Sequence, residues 1–249
     1  MSPSPTRDRR EEAPCAYEKR SFVASSGVSL PYRLFVPDNC DPELAHPMVT
    51  VLHGSGERGV DNVRQLGLGV TVFSARRHQR RYPSLVLVPQ CRPNHRWVDV
   101  EWDETIYSTA DVPISADLAA VEELIDVLTS EFNVDRRRLY LVGLSMGGYG
   151  TWDLGVRRAD LFAALVPICG GADPSRAAAL REVAVWGFHG ADDTVVPPTG
   201  TRAMVAALKR AGGPARYTEY EGVAHDAWTP TFSDDAVIDW MFAQAKSRR

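Results

Sequence analysis

Arg138-Leu-Tyr-Leu-Val-Gly-Leu-Ser-Met-Gly-Gly-Tyr-Gly-Thr-Trp152 is the stretch that decides the fold. Leu139 to Val142 is a short apolar run with β-branched and aromatic residues, the composition of a strand buried on both faces. It runs straight into Gly143-Leu-Ser-Met-Gly147, a G-x-S-x-G sequence, followed by residues compatible with a helix. A strand that turns abruptly into a helix strains the residue at the turn. Its neighbours must lack side chains for the two segments to pack closely. This arrangement holds the Ser145 hydroxyl clear of a sheet at a helix N-terminus, where backbone N–H groups favour developing negative charge.

Similar units lie on either side. Ser115 to Phe132 is the clearest helix, with Leu118, Val121, Leu124, Ile125 and Leu128 at three- and four-residue spacing. Met48 to Leu52 and Leu85 to Val88 read as buried strands, and Asp61 to Arg81 between them as mostly helical with Asp61 as N-cap. Lys19 to Ala24 and Val28 to Val36 alternate around Ser25-Ser26-Gly27, which predicts an antiparallel hairpin at a sheet edge. Cys91 to Val112 is a long polar and aromatic loop, of a length that is usually functional or mobile. Beyond Trp152 come strands at Ala163–Ile168, Val183–His189 and Ala215–Tyr220, and helices at Thr199–Ala211 and Ser233–Ala245. Strands alternating with helices predict an α/β fold, a mostly parallel sheet covered on both faces. With no internal repeat and no interior linker, residues 15–249 are expected to form one domain.

Composition excludes several functions. Of the 249 residues 44% are hydrophobic and 24% charged, enough apolar material for a full core. The net charge of −4 is mixed along the chain, so there is no electrostatic footprint for nucleic acid. No apolar run approaches the length of a membrane span. Residues 1–14 carry Pro, Ser, Arg and Glu and read as a disordered tail. They lack the apolar centre of a secretion signal, giving the expectation of a cytoplasmic protein. Cys15, Cys40, Cys91 and Cys169 are far apart and read as free thiols; a Cys40–Cys91 bridge would require a secreted form.

In such a sheet, reactive groups collect in loops beyond the C-terminal ends of the strands. Serine is a poor nucleophile at neutral pH; it needs a base for its proton and a third group to orient that base. The strand ending near Phe188 is followed by His189-Gly-Ala-Asp-Asp-Thr-Val-Val-Pro197, which offers an acid. The strand ending at Tyr220 is followed by Glu221-Gly-Val-Ala-His225, which offers a histidine. The chain order Ser, Asp, His differs from those of the chymotrypsin and subtilisin arrangements.

Together with His53-Gly-Ser-Gly56, these segments resemble the α/β-hydrolase superfamily, and within it small bacterial esterases of the carboxylesterase/phospholipase, feruloyl-esterase and polyhydroxyalkanoate-depolymerase kind. The resemblance covers about Tyr17 to Ala245. It implies an α/β-hydrolase fold with Ser145 as nucleophile, Asp193 as acid and His225 as base. Asp192 is a rival acid and Asp173 a further one; on other grounds they read as a solvated loop carboxylate and a helix cap. The oxyanion hole is expected from the backbone N–H of Met146 and, by the same resemblance, of Ser55.

The implied activity is a serine carboxylic-ester hydrolase acting through an acyl-enzyme on a small-molecule ester, in a monomer or homodimer. No cofactor and no metal are expected, since no histidine pair has the spacing of a zinc site. His53 and His189 read as strand-end residues bonded to neighbouring loops, and His46, His78 and His95 as surface or loop residues. Trp97, Trp228 and Glu57 are candidates for contact with substrate; packing explains the tryptophans, and a loop salt bridge Glu57, equally well. The short stretch between Ile168 and Val183 leaves no room for a lid insertion, which predicts an open cleft for small or medium esters. The same constellation cleaves amides, but a propeller-like domain and an anchor for a substrate amine are missing, which disfavours a prolyl-oligopeptidase-like peptidase. Dienelactone hydrolases carry cysteine where this chain has Ser145, and a non-catalytic binding protein would have lost part of the set.

Overall fold

Alternation at the N-terminal end does produce an antiparallel pair, β1 (Glu18–Val23) and β2 (Ser29–Phe35), in the computed structural model, which describes residues 17–37 and 43–247. The turn between them needs a left-handed residue, and Gly27 supplies it at φ 83°. β2 then pairs antiparallel with β4 (Leu85–Pro89). From β4 onward every pairing is parallel, through β3 (His46–Leu52), β5 (Val134–Leu144), β6 (Ala164–Ile168), β7 (Ala184–Gly190) and β8 (Ala215–Tyr220). The spatial order is β1-β2-β4-β3-β5-β6-β7-β8.

β3, β4 and β6 are buried along their whole length, as is β5 from Leu139 on, and side chains alternate between two cores. Leu139 and Leu141 of β5 join the core under α2 (Ala116–Glu131), α3 (Met146–Arg157) and α4 (Thr199–Arg210). Tyr140, Val142 and Leu144 face the opposite core, with Val70 and Phe73 and the C-terminal helices α5 (Trp228–Ser233) and α6 (Asp235–Phe242). Each large apolar side chain so buried stabilises the fold by roughly 1.5–3 kcal/mol. The two cores fix β5 at the centre of the sheet.

Three boundaries differ from those expected. Residues 61–81 are not one helix: 3-10 turns occupy Arg64–Leu66 and Val70–Ser74, and only α1 (Arg76–Arg81) is α-helical. Leu68 and Gly69 lie at φ 53° and 81°, which no α-helix accommodates. Asp61 is not the N-cap of a helix: its Oδ1 accepts from Val63 N and Arg64 N at 2.8 and 3.1 Å, and Val63 stands at the cap position of the 3-10 turn that follows. The helix expected over Ser233–Ala245 is the shorter α6, which Asp234 caps by accepting from Ala236 N at 2.9 Å, and α5 ahead of it has no counterpart among the expected helices. β5 begins at Val134, well ahead of the apolar run.

His46 and His78, expected at the surface or in loops, are buried; His78 lies 3.0 Å from Asp235 Oδ1. Cys91 and Cys169 are buried free thiols, while Cys15, Cys40 and the expected tail over 1–14 lie outside the described residues. Among the described residues no helix is long and apolar enough to cross a membrane.

Candidate active site

The strand-to-helix turn is as tight as the glycines of β5 and α3 suggest. Ser145 stands between the two elements at φ 53°, ψ −118°, a conformation that costs a non-glycine residue roughly 1–3 kcal/mol. A Cβ on Gly143 would lie 2.2 Å from Gly147 O, and one on Gly147 only 2.0 Å from Leu52 O. Helix α3 therefore rests backbone to backbone on the end of β3. Ser145 N donates to Ile168 O at 2.9 Å, tying the turn to β6.

Two loops at the same end of the sheet approach it. After β7, Asp193 sits fully buried, with Oδ1 accepting from Val195 N and Val196 N at 2.9 Å each. After β8, His225 places Nδ1 2.7 Å from Asp193 Oδ2 and Nε2 2.9 Å from Ser145 Oγ. The carboxylate only accepts, so Nδ1 carries the hydrogen and Nε2 is left to accept from the serine hydroxyl. Backbone bonds from Ala191 N to Tyr220 O (3.0 Å) and Asp192 N to Val223 O (3.0 Å) stitch the Asp193 loop to the His225 loop. Burial raises the Asp193 pKa, and the bonds from His189, His225 and Val196 N–H outweigh it, holding the carboxyl well below the usual carboxylate range. Asp192 is exposed. Asp173 caps the turn Pro174–Leu180 and accepts from Thr109 and Ser175, so it is engaged elsewhere.

The loop after β3 is held from behind. His53 is fully buried, which depresses its pKa to about 4, a bond to Gly54 opposing and the nearby Arg58 charge adding to the effect. Its Nε2 accepts from Cys91 N at 2.9 Å, which leaves Nδ1–H to donate to Gly54 O at 2.6 Å. Trp97, also fully buried, donates from Nε1 to His53 O at 3.1 Å and stands edge-on to the imidazole. Trp97 thus packs behind the loop and presents no open face. Ser55 opens a short 3-10 turn, Ser55–Glu57, and neither Ser55 N nor Met146 N donates to a protein acceptor among the described residues. Glu57 folds back toward Gly54; its Oε2 is buried without a partner, and burial raises its pKa. Trp228 is half-buried and meets the His225 ring edge-on at 5.4 Å.

The long loop over 91–112 is clamped rather than loose. Tyr107 Oη donates to the buried Asp153 of α3 at 3.1 Å, and Arg157 pairs with the same carboxylate at 2.6 Å while donating to Val112 O. Thr109 binds Asp173, and Thr105 meets Thr199 of α4 at 2.8 Å.

One grouping offers three metal-type ligand atoms within 4.8 Å of one another: Cys169, Asp193 and His225. Asp193 and His225 already hold each other, and burial raises the Cys169 thiol well above its ordinary value, so the set is a hydrogen-bonded unit rather than an open ligand shell. His189 is closer to the chemistry than its strand-end position suggested: it is fully buried, with Nε2 3.3 Å from Asp193 Oδ2. Its i, i+4 spacing from Asp193 was the one signal in the sequence, and in a loop that spacing has no fixed meaning.

The geometry agrees with what the chain is similar to. The family model described as phospholipase/carboxylesterase matches residues 39–236. A bifunctional acetylxylan esterase/xylanase of Neocallimastix patriciarum is 35% identical over 89 residues, 36% of this chain and 13% of that protein. A probable feruloyl esterase C of Aspergillus oryzae is 24% identical over 169 residues, 68% of this chain and 57% of that protein. Among solved structures, a thermostable esterase is 39% identical with a TM-score of 0.86, over 92% of this chain and 63% of that one. The chain thus spans less than two thirds of each of these relatives.

Proposed function

The chain belongs to the phospholipase/carboxylesterase family of α/β-hydrolases, and from that premise we propose that it is a serine carboxylic-ester hydrolase that works through an acyl-enzyme. The observation that carries this reading is the unbroken bond line from Ser145 Oγ to His225 Nε2 (2.9 Å) and from His225 Nδ1 to Asp193 Oδ2 (2.7 Å).

Ser145 Oγ attacks the ester carbonyl carbon while its proton passes to His225 Nε2. Asp193 keeps the ring in the required tautomer and stabilises the imidazolium. The carbonyl oxygen, now negative, is met by the N–H groups of Met146, at the N-terminus of α3, and Ser55. His225 returns the proton to the departing alcohol oxygen, leaving the acyl group on Ser145. A water then gives its proton to His225 Nε2 as it attacks the acyl carbon, and the serine leaves with that proton.

Substrates of small to medium size, aryl and hydroxycinnamoyl esters among them, follow from two supports. The connection from β6 to β7 holds only the turn Pro174–Leu180, with no lid. Trp228 stands beside His225 as an aromatic wall, and one relative carries the name feruloyl esterase. An aryl fluorophosphonate tests the nucleophile directly. Digestion and mass spectrometry should place one adduct on the peptide holding Ser145, and none in Ser145→Ala; labelling of another residue would overturn the assignment.

A further inference from the structure

Asp193 is gripped from two sides. Oδ1 accepts the Val195 and Val196 N–H groups, while Oδ2 faces His225 Nδ1 at 2.7 Å and His189 Nε2 at 3.3 Å. His189 is fully buried near the end of β7, and the reaction written above gives it no part. Its Nε2 also lies 2.8 Å from Val196 O. Both groups facing Nε2 are acceptors, so that nitrogen carries a hydrogen shared between a carbonyl and the carboxylate. On the far side of the ring, Nδ1 is 2.9 Å from Thr201 Oγ1 of α4, which is itself 2.9 Å from Gly170 O. The threonine has one hydrogen. It goes to Gly170 O, so Thr201 holds the ring through its oxygen, and the two acceptors facing Nε2, Val196 O and Asp193 Oδ2, are what fix that nitrogen as a donor.

We propose that His189 is a positioning residue for the reaction: pinned by Thr201, it donates through Nε2 to the Asp193 carboxylate and sets both the orientation and the charge of the acid that orients His225. The proposal rests on the reading of Ser145, Asp193 and His225 as the reacting set. Two consequences follow. The first is geometric, since Oδ2 is otherwise fixed only by His225, the group it must orient. The second is electrostatic. Every N–H that Oδ2 accepts draws off part of its charge, so the shared carboxylate stabilises the His225 imidazolium less than an unshared one would. With His189 in place, His225 gives up its proton at lower pH and remains an active base further into the acid range.

The other ionisable groups around this unit are accounted for. Burial raises the Cys169 thiol at the end of β6 and the Tyr149 phenol of α3, so both stay neutral. Glu219 of β8 is paired with Arg202 of α4 at 2.5 Å. Asp226, next to His225, accepts from Thr229 N and Oγ1. Among the described residues, the side chains paired with Asp193 Oδ2 are those of His225 and His189.

The test compares His189→Leu, which removes the donor, with His189→Gln, whose amide N–H can reach the same place, and Thr201→Val, which keeps the shape and removes the hydroxyl. The readouts are kcat and KM for p-nitrophenyl acetate across pH and, independent of activity, the pH at which the His225 ring titrates by NMR in a Ser145→Ala background. His189→Leu should lower kcat about 10- to 100-fold with KM nearly unchanged. It should also move both the acid limb and the His225 titration up by about half to one pH unit. His189→Gln should restore most of this, and Thr201→Val should shift the same way by less. A folded His189→Leu with an unmoved acid limb and an unmoved His225 titration would overturn the proposal. If circular dichroism shows that His189→Leu does not fold, an unmoved limb in Thr201→Val overturns it instead. Should the wild type cleave no ester while the His225 titration still follows His189, the esterase reading fails and the positioning role stands.

Discussion

Gly147→Ala should damage stability and turnover together, because Gly147 is where α3 touches β3. The added Cβ would lie 2.0 Å from Leu52 O and 2.5 Å from Leu52 C, both backbone atoms of a buried central strand. Real Cβ atoms essentially never come within 3.0 Å, so helix and strand must separate by roughly the difference, 3.0 − 2.0 = 1.0 Å. No flexible side chain can absorb that shift, which puts the cost at the upper end of overpacking, about 3 kcal/mol. At about 2–4 °C per kcal/mol for a domain of this size, Tm should fall by about 6–12 °C. The displaced helix carries Ser145 and Met146 N–H away from the loop holding Ser55, and a misplacement of about 1 Å costs on the order of 10² in rate. Thermal unfolding and kcat for an aryl ester measure both. Gly56→Ala is the control for stability, since a Cβ there meets nothing within 4 Å and Tm should hold within about 2 °C. A Gly147→Ala protein with wild-type Tm and kcat would refute the close-packed elbow.

Other outcomes follow from the same geometry. Asp193→Asn places an amide N–H against His225, turns the ring to the wrong tautomer and should lower kcat by about 10⁴ with the far-ultraviolet circular dichroism unchanged. His53 titrates at about 4 when folded against 6.5 when free, so the folded state binds fewer protons between those values. Stability should therefore fall as pH drops from 6.5 toward 4, by on the order of 3 kcal/mol. Urea midpoints at several pH values would show the slope, and His53→Gln should flatten it; depressed carboxylates such as Asp193 act lower, below 3.8. Arg157→Met strands the buried Asp153 charge and should cost about 3–5 kcal/mol in a denaturant titration, whereas Arg157→Met with Asp153→Leu recovers most of the loss.

Which features were legible in the sequence depends on how locally each is determined. The elbow could be read because the demand on Gly143 comes from its own strand and helix, though that on Gly147 comes from β3, and the hairpin because Gly27 turns a plain alternating pattern. The loops holding Asp193 and His225 could be placed because each directly follows a strand, β7 and β8. The breakdown of residues 61–81 into 3-10 turns was not readable: the exposed Leu68 takes a positive φ that leucine does not advertise. Helix α5 was missed because Trp228-Thr-Pro-Thr-Phe-Ser is short and holds a proline, tolerated in its first turn. Behind the site, His53 and Trp97 owe their places to bonds between segments 38 and 44 residues apart, which no spacing rule encodes, while His189 meets groups 4 to 12 residues on, in a loop whose path its spacing does not show.

The central claim is that Ser145, activated by His225 and Asp193, cleaves carboxylic esters. The most direct measurement is hydrolysis of a panel of p-nitrophenyl and hydroxycinnamoyl esters by wild type beside Ser145→Ala. The account predicts turnover of short acyl and aryl esters by wild type and its loss in the variant. Ester cleavage that survives in Ser145→Ala, or a wild type that cleaves none of the panel, would contradict it.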